Sequence, residues 1–495
     1  MNISSLEDRL AEYGPGGYYL LETFVLELLR LEAAANNQEL HIESRRSHAP
    51  VDAYAPGGIG SIRSPLSVEI VSVLSPKRLR SIINLHKSLK QSEDEGLLIV
   101  ALRQMAKESR YVAKIIESEG AKLHVWDQDR LQQLIDRHRE KAEQLSENLF
   151  SFRLKMAVSG GSDDWKRKRD RIISDVAEKF RDGRLSLFLG AGVSSSAGLP
   201  NWDTLLNRLF VSMLTENEGT ENSHENERIN SIVRRLRQIG GPSALTLARY
   251  IRKGMSFGSG TERNRFIESV TEQLYGLRDR RFALDSELIK EIVSLCAPIR
   301  SGAKVRGVVT YNFDDLLERV LNAREIAYRS IFEEELAEPE ELPVYHVHGF
   351  LPEERLGYSN LDRSTLVFSE EGYHQIYRDA YHWSNLIQLT SLKETSCLMI
   401  GLSLTDPNLR RLLEISTKSV DKPRHFAFMK RVGYEEFAKK DKNTLVKAPA
   451  RMVRGFLERH HNLNEEVLRE LGVSVIWYEG YDEVPSVLKR IRKSI

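Results

Sequence analysis

A glycine-rich turn and three polar segments, each set after a short apolar run, hold the residue types that could handle a phosphorylated ligand. The turn reads Gly190-Ala191-Gly192-Val193-Ser194-Ser195-Ser196-Ala197-Gly198-Leu199-Pro200 and follows the apolar run 185–189. Glycines there let the main chain turn tightly and come close to a ligand, and the N–H groups that open a following helix favour a phosphate. By itself such a Gly-X-Gly is a weak signal that an ordinary tight turn can also give, and Ser195 stands where the third glycine of a dinucleotide fingerprint would fall. The companion segments are Thr310-Tyr311-Asn312-Phe313-Asp314-Asp315-Leu316-Leu317-Glu318, Val344-Tyr345-His346-Val347-His348-Gly349 and Ile400-Gly401-Leu402-Ser403-Leu404-Thr405-Asp406-Pro407-Asn408-Leu409. A histidine, with an ordinary pKa of roughly 6.5, suits a general base near neutral pH. His346 and His348 lie two apart and face one side of a strand. As a metal pair they lack a third ligand at useful spacing. Asp406-Pro407-Asn408 reads as the cap of a helix over 408–416, and His460-His461 as a solvated loop.

A parallel sheet can bring such segments together. Strands are predicted at 185–190, 305–311, 344–348, 396–403, 425–429 and 473–478, most followed by helical spacing. Runs such as Leu185-Ser186-Leu187-Phe188-Leu189 and Cys397-Leu398-Met399-Ile400 suit strands buried on both faces. In a parallel α/β sheet the carboxyl ends of the strands share one edge, where ligands bind, so the four polar segments converge on one crevice. Residues of about 203–300 carry helical signals and few strand signals, which predicts a helical insertion with a polar loop around 215–227. Ahead of this domain, helices at 15–36, 76–90, 107–119 and 128–149 alternate with strands at 66–74, 97–103 and 122–127, a smaller α/β domain. The run Ser159-Gly160-Gly161-Ser162-Asp163-Asp164 marks the boundary, giving domains of 1–157 and 169–495 around a linker of 158–168.

With 41% hydrophobic and 29% charged residues, the 495-residue chain can bury a sizeable core. Its 72 Lys and Arg against 71 Asp and Glu leave a net charge of +1, which excludes a whole-chain basic footprint for nucleic acid or an anionic membrane. Two cysteines far apart in sequence, Cys296 and Cys397, can build neither a disulfide framework nor a cysteine-ligated zinc. The N-terminus has no basic region followed by an apolar core, so a soluble cytoplasmic protein without membrane contact is expected.

Taken in order, the four segments resemble those of the sirtuins, and in particular the divergent sirtuin-like NAD hydrolases of bacterial antiphage defence, over about 170–490. The sirtuin Gly-Ala-Gly-X-Ser start and its Gly-X-Pro continuation are matched by Gly190-Ala191-Gly192-Val193-Ser194 and Gly198-Leu199-Pro200. The Thr-Gln-Asn-X-Asp element is matched by Thr310-Tyr311-Asn312-Phe313-Asp314 with Tyr311 in place of glutamine, the His-Gly element by His348-Gly349, and the Gly-X-Ser strand end by Gly401-Leu402-Ser403. The resemblance implies a sirtuin-like, Rossmann-type parallel sheet with NAD as substrate. Gly190, Ala191, Gly192 and Ser194 would line the phosphates, and Thr310 belongs to the element in which Asn312 orients the nicotinamide ribose and Asp314 holds the carboxamide. His348 would be the general base, and Gly401 and Ser403 would contact the adenosine half. The Asp-Phe-Arg that follows Gly-X-Pro in the family is here Asn201-Trp202-Asp203, which makes Trp202 the ligand-binding candidate at that place. No four-cysteine zinc module follows the His-Gly element, so no zinc is expected. Part of the usual acyl-lysine platform goes with it, and hydrolysis of NAD to nicotinamide and ADP-ribose is favoured over the alternatives of protein deacylation or a non-catalytic NAD or ADP-ribose sensor.

In the N-terminal domain, Asp52 and then Glu69 in Leu66-Ser67-Val68-Glu69-Ile70-Val71, after a helix containing Glu22, resemble the restriction-endonuclease-like fold, whose Asp and Glu-X-Lys surround Mg²⁺. The lysine position is Val71. The domain is therefore read as degenerate, with Asp52 and Glu69 as weak metal candidates, no Mg²⁺ expected unless Lys77 or another chain supplies the cation, and a role in assembly or DNA contact. By resemblance to defence systems, regulation through a homo-oligomer and a HerA-type ATPase partner is expected.

Overall fold

The computed structural model describes residues 1–11, 13, 15–42, 51–89, 94–118, 122–153, 165–215, 235, 244–255, 262–379, 381–417, 422–440 and 443–494. The chain forms two compact units. The first comprises Met1–Asp164, Thr417–Pro423 and Gly433–Gly472, and the second Trp165–Ser416, Arg424–Val432 and Val473–Ile495. The expected break therefore falls at the start of the helix Trp165–Arg181, and the glycine-rich run itself lies outside the described residues. Two later segments that sequence reading gives to the second domain pack with the first unit. Burial of charge explains one of them: in the helix Ala450–Glu470, Glu466 takes a forked pair of hydrogen bonds from Arg153, at 2.6 and 3.0 Å. That helix also carries His460 and His461, so they do not form a loop, and His461 is buried.

The first unit holds a sheet in the order β1 (His41–Ile42), β2 (Ala53–Ala55), β3 (Leu66–Val71), β4 (Gly96–Ala101) and β5 (Leu123–Trp126). The first two pairings are antiparallel, and β3, β4 and β5 run parallel. Against it lies the helix Pro15–Ala35, whose Phe24, Val25, Leu28 and Leu29 recur at helical spacing and are fully buried. The single helix predicted at 128–149 is two, Gln128–Arg137 and Arg139–Glu147. The break at His138 has a local cause. The buried Glu32 carboxylate draws Arg137 Nη1 to 2.5 Å and His138 Nε2 to 2.8 Å, and His138 leaves helical geometry to reach it. A short ribbon of β12 (Lys439–Lys440) and β13 (Asn443–Thr444) completes this unit.

The second unit is built on a seven-stranded sheet of β6 (Leu185–Leu189), β7 (Val305–Thr310), β8 (Tyr328–Ile331), β9 (Leu342–His346), β10 (Ser396–Ile400), β11 (His425–Lys430) and β14 (Val473–Tyr478). Its order is β14-β11-β10-β6-β7-β9-β8, and every pairing is parallel. The α/β class with a Rossmann-like parallel sheet expected from the sequence is the one found. Every residue of β6 and of β10 is buried, as strands covered on both faces require. The edge strand β8 is missed by sequence reading because Tyr328-Arg329-Ser330 is half-exposed and polar. Between Trp202 and Cys296 the described residues form the helices Trp202–Thr215, Ala244–Met255, Glu262–Gly276 and Glu287–Cys296 and no strand, as the insertion reading expects; most of the polar loop at 215–227 is outside the described residues. After β6 the chain builds β7, β8 and β9 on one side, then crosses back to place β10 on the other. The carboxyl ends of β6 and β10 thus flank the reversal of strand order, where open α/β sheets bind ligands. Among the described residues no helix is long and apolar enough to cross a membrane.

Candidate active site

Each polar segment begins where its strand ends. Past β6 the chain reaches Gly190 and enters the short helix Ala191–Ser195. Gly190 N–H donates to Ile400 O and Gly192 N–H to Gly401 O, both at 2.9 Å, so the ends of β6 and β10 are tied together. The glycines are demanded by this closeness: a Cβ on Gly192 would lie 2.8 Å from Gly401 Cα, and one on Gly190 2.6 Å from Gly401 O. Gly401 itself has φ +71°. Two amides that the sequence offers to a phosphate are therefore already engaged with protein carbonyls. Ser403 is exposed, its Oγ 2.6 Å from Thr405 Oγ1.

Past β7, Thr310 Oγ1 accepts the Asn312 N–H at 3.1 Å. The Asn312 side chain then reaches across to the glycine turn, its Nδ2 donating to Gly190 O at 3.0 Å and to Ser194 Oγ at 2.8 Å. Ser194 donates in turn to Asp314 Oδ2 at 2.6 Å, while Asp314 Oδ1 accepts the Leu316 N–H at 3.2 Å. Burial pushes the Asp314 carboxyl up to about 6, against the pull of those two hydrogen bonds. Ser194, Asn312 and Asp314 are thus one hydrogen-bonded set, and both Nδ2 hydrogens of Asn312 are used, leaving Oδ1 as its remaining acceptor. Trp202 packs on Phe313 and edge-on to Phe368, with ring centroids 6.1 and 4.8 Å apart, an apolar wall directly after Asn312.

The two histidines do not share a face. Strand β9 ends at His346, and the chain turns before His348, so period-two alternation no longer applies. His346 points inward and is 1% exposed. Its Nε2 lies 2.6 Å from Glu318 Oε1 and its Nδ1 3.2 Å from the main-chain carbonyl of Asn312. That carbonyl only accepts, so Nδ1 donates to it, and the Glu318 contact at the other ring nitrogen holds the imidazole behind the backbone of Asn312. Leu189, Val193, Ser194, Asn312, Asp314 and Glu318 line a small space of about 10 Å³ there, room for about one water.

His348 is 8% exposed, its ring held edge-on by Tyr311 at 4.8 Å and by Tyr373 at 5.8 Å. Tyr311, where sirtuins have glutamine, is buried and donates to Gln388 Oε1 at 2.5 Å. His348 Nε2 is out of solvent and 3.6 Å from Asp406 Oδ2. Burial lowers the His348 pKa, and the Asp406 carboxylate works against that fall. Asp406 does cap the helix Pro407–Thr417, taking the Leu409 N–H on Oδ1 at 2.7 Å, as its sequence position suggests; its second oxygen accepts the Tyr373 hydroxyl at 2.5 Å and lies 3.6 Å from His348 Nε2. Neither Asp406 in that second role nor Tyr373 and Glu318 was picked out by motif reading, because each acts through a contact distant in sequence.

Residues 306–449 match the family model of the SIR2-like domain. This stretch carries three of the four polar segments, from β7 through β10. The NAD(+) hydrolase ThsA of Enterococcus faecium is 23% identical over 331 residues, covering 65% of this chain and 58% of that protein. The chain thus matches somewhat more than half the length of this curated relative.

In the first unit, Asp52 and Glu69 do come together, with Glu22 beside them. Asp52 Oδ2 accepts the Ile70 N–H at 2.6 Å. Loss of water raises all three carboxyls, and mutual repulsion adds to it for Glu22, which reaches about 7, and Glu69, which reaches about 8. The cation acting most strongly on Asp52 and Glu69 is Lys422, followed by Arg78, rather than Lys77. Lys422 belongs to the segment Thr417–Pro423, hundreds of residues away in sequence, so no local spacing could have found it. Among the described residues no group of three or more His, Cys, Asp or Glu side chains converges closely enough to hold a metal ion.

Proposed function

We propose that the second unit hydrolyses NAD to nicotinamide and ADP-ribose in antiphage defence. The observation that carries this reading is the hydrogen-bonded set of Ser194, Asn312 and Asp314 at the reversal of strand order, with a buried histidine on the next strand end. The similarity to the SIR2-like domain and to a protein named as an NAD(+) hydrolase supports it.

In the reaction the bond from ribose C1′ to the nicotinamide nitrogen breaks, and its electron pair leaves with nicotinamide. Positive charge develops on the ribose, water adds at C1′, and one proton is released. Asn312 is held by two hydrogen bonds through Nδ2, so its Oδ1 is fixed in advance as an acceptor for a ribose hydroxyl, and orientation of this kind lowers the barrier without any rearrangement. His348, kept neutral by burial, takes the proton. Gly190, Gly192 and Gly401 hold the ends of β6 and β10 together at the floor of the dinucleotide site, with the exposed Ala191 and Ser403 at its mouth and Trp202 walling the nicotinamide side. Asp314, its pKa raised by burial to about 6, serves the carboxamide group. Control through the first unit, self-assembly and a partner ATPase belongs to the same reading, since unrestrained loss of NAD kills the host.

Incubation of the full-length protein with NAD and no acylated peptide should yield nicotinamide and ADP-ribose in equal amounts. A strict requirement for an acyl-lysine peptide would assign a deacylase instead, and binding of ADP-ribose without turnover would assign a sensor.

A further inference from the structure

His348 Nε2 is closed off from solvent, has no hydrogen-bond partner among the described residues, and faces one oxygen of Asp406 at 3.6 Å. Buried ring nitrogens are paired in most folded proteins, so an unpaired one facing a carboxylate needs a reason. That same Asp406 Oδ2 already accepts the Tyr373 hydroxyl at 2.5 Å, while Oδ1 is fixed by the Leu409 N–H. The carboxylate is thus clamped at both oxygens, and the ring is walled by Tyr311 and Tyr373. Asp406, Tyr373 and Tyr311 are the titratable groups facing the imidazole; Tyr377, with Arg411 over its ring, lies beyond Tyr373.

We infer that Asp406 is a positioning residue for His348, selecting the tautomer with hydrogen on Nε2 and leaving Nδ1 as the basic nitrogen. The inference rests on His348 acting as the base in the proposed hydrolysis. A carboxylate only accepts, so a bare Nε2 lone pair facing it would be repelled, whereas an Nε2–H is attracted. When Nδ1 takes a proton, the imidazolium forms beside an anion already in place, and a closing movement of less than about 1 Å brings the pair into charge-assisted hydrogen-bond range. Tyr373, donating to Oδ2 at 2.5 Å, holds the carboxylate in line.

The clamp separates charge from capping. In Asp406→Asn the amide oxygen still accepts the Leu409 N–H, asparagine being as good a helix cap as aspartate, so the cap is kept while the charge is lost and the Tyr373 hydroxyl must turn from donor to acceptor toward Nδ2. The histidine ring is titrated by NMR in the full-length protein, its signal assigned by loss in His348→Gln among the 13 histidines. Asp406→Asn should lower the His348 pKa by about one unit or more, and Tyr373→Phe should raise it, because a carboxylate relieved of its donor attracts a proton more strongly. Nicotinamide release by Asp406→Asn should fall about 10- to 100-fold in kcat with KM little changed. An unchanged His348 pKa in Asp406→Asn overturns the inference whether or not the protein turns NAD over. Wild-type kcat in Asp406→Asn overturns it as well. Absence of nicotinamide release from the wild type, with the NMR shifts as expected, sinks the hydrolase reading and leaves the Asp406–His348 coupling standing.

Discussion

Replacing Ser194 with alanine tests the centre of the site through stability and activity together. Its hydroxyl donates to the buried Asp314 carboxylate at 2.6 Å and accepts from Asn312 Nδ2 at 2.8 Å, so the alanine variant removes two bonds and leaves Asp314 with the Leu316 N–H alone. A hydrogen bond to an ionised group contributes about 1.5–3 kcal/mol and a neutral one about 1 kcal/mol. The folded-state pKa of Asp314 is raised from 3.8 to about 6, so its favourable contribution is complete below 3.8 and is lost as pH rises through about 6. Without the Ser194 hydroxyl that pKa rises further, which deepens the loss and carries it to higher pH. Ser194→Ala should therefore cost about 1 kcal/mol at pH 5 and about 2–3 kcal/mol at pH 8. Urea unfolding of wild type and variant at the two pH values, followed by intrinsic tryptophan fluorescence, measures this difference. Nicotinamide release at pH 8 should drop by about 100-fold, because Asn312 is left with only the Gly190 carbonyl to orient it. Equal stability loss at both pH values would refute the ionised Asp314, and full activity would refute the positioning of Asn312.

Other perturbations separate packing from charge. Gly401→Ala combines a left-handed conformation with a Cβ 2.6 Å from Val193 N, and should cost about 2–4 kcal/mol in urea unfolding while abolishing ADP-ribose binding. In the first unit, the raised pKa values of Glu22 and Glu69 give stability that is complete below about 4.5 and lost as pH rises through 7 to 8. Glu69→Gln should thus raise the unfolding midpoint at pH 9 and leave it nearly unchanged at pH 4, as calorimetry at the two pH values would register. His346→Leu strips the Glu318 carboxylate of a 2.6 Å partner and the Asn312 carbonyl of its support. Denaturant unfolding should show a loss of about 2–3 kcal/mol, with kcat reduced more than KM is raised.

The sheet was readable because its strands are short apolar runs ending in glycine or polar residues, and Leu185–Leu189 and Ser396–Ile400 sit at its buried centre. Asn312, Asp314 and Ser194 could be named only through the resemblance of the segments after those runs to sirtuin motifs. What linked them could not, since Asn312 to Gly190 and Ser194 to Asp314 span more than a hundred residues each. Period-two reasoning failed at His348 because the strand ends two residues earlier, at His346. The return of Thr417–Pro423 and Gly433–Gly472 to the first unit depends on partners such as Arg153 with Glu466, which no local pattern announces.

The most direct measurement is nicotinamide release from NAD by purified full-length protein and by Asn312→Ala, in buffer and with extract of phage-infected cells added. Release by the wild type in at least one condition, and loss of it in a variant that still unfolds at the wild-type midpoint, is the predicted result. Equal release by both proteins, or no release in either condition while ADP-ribose still binds, would contradict NAD hydrolysis at this site.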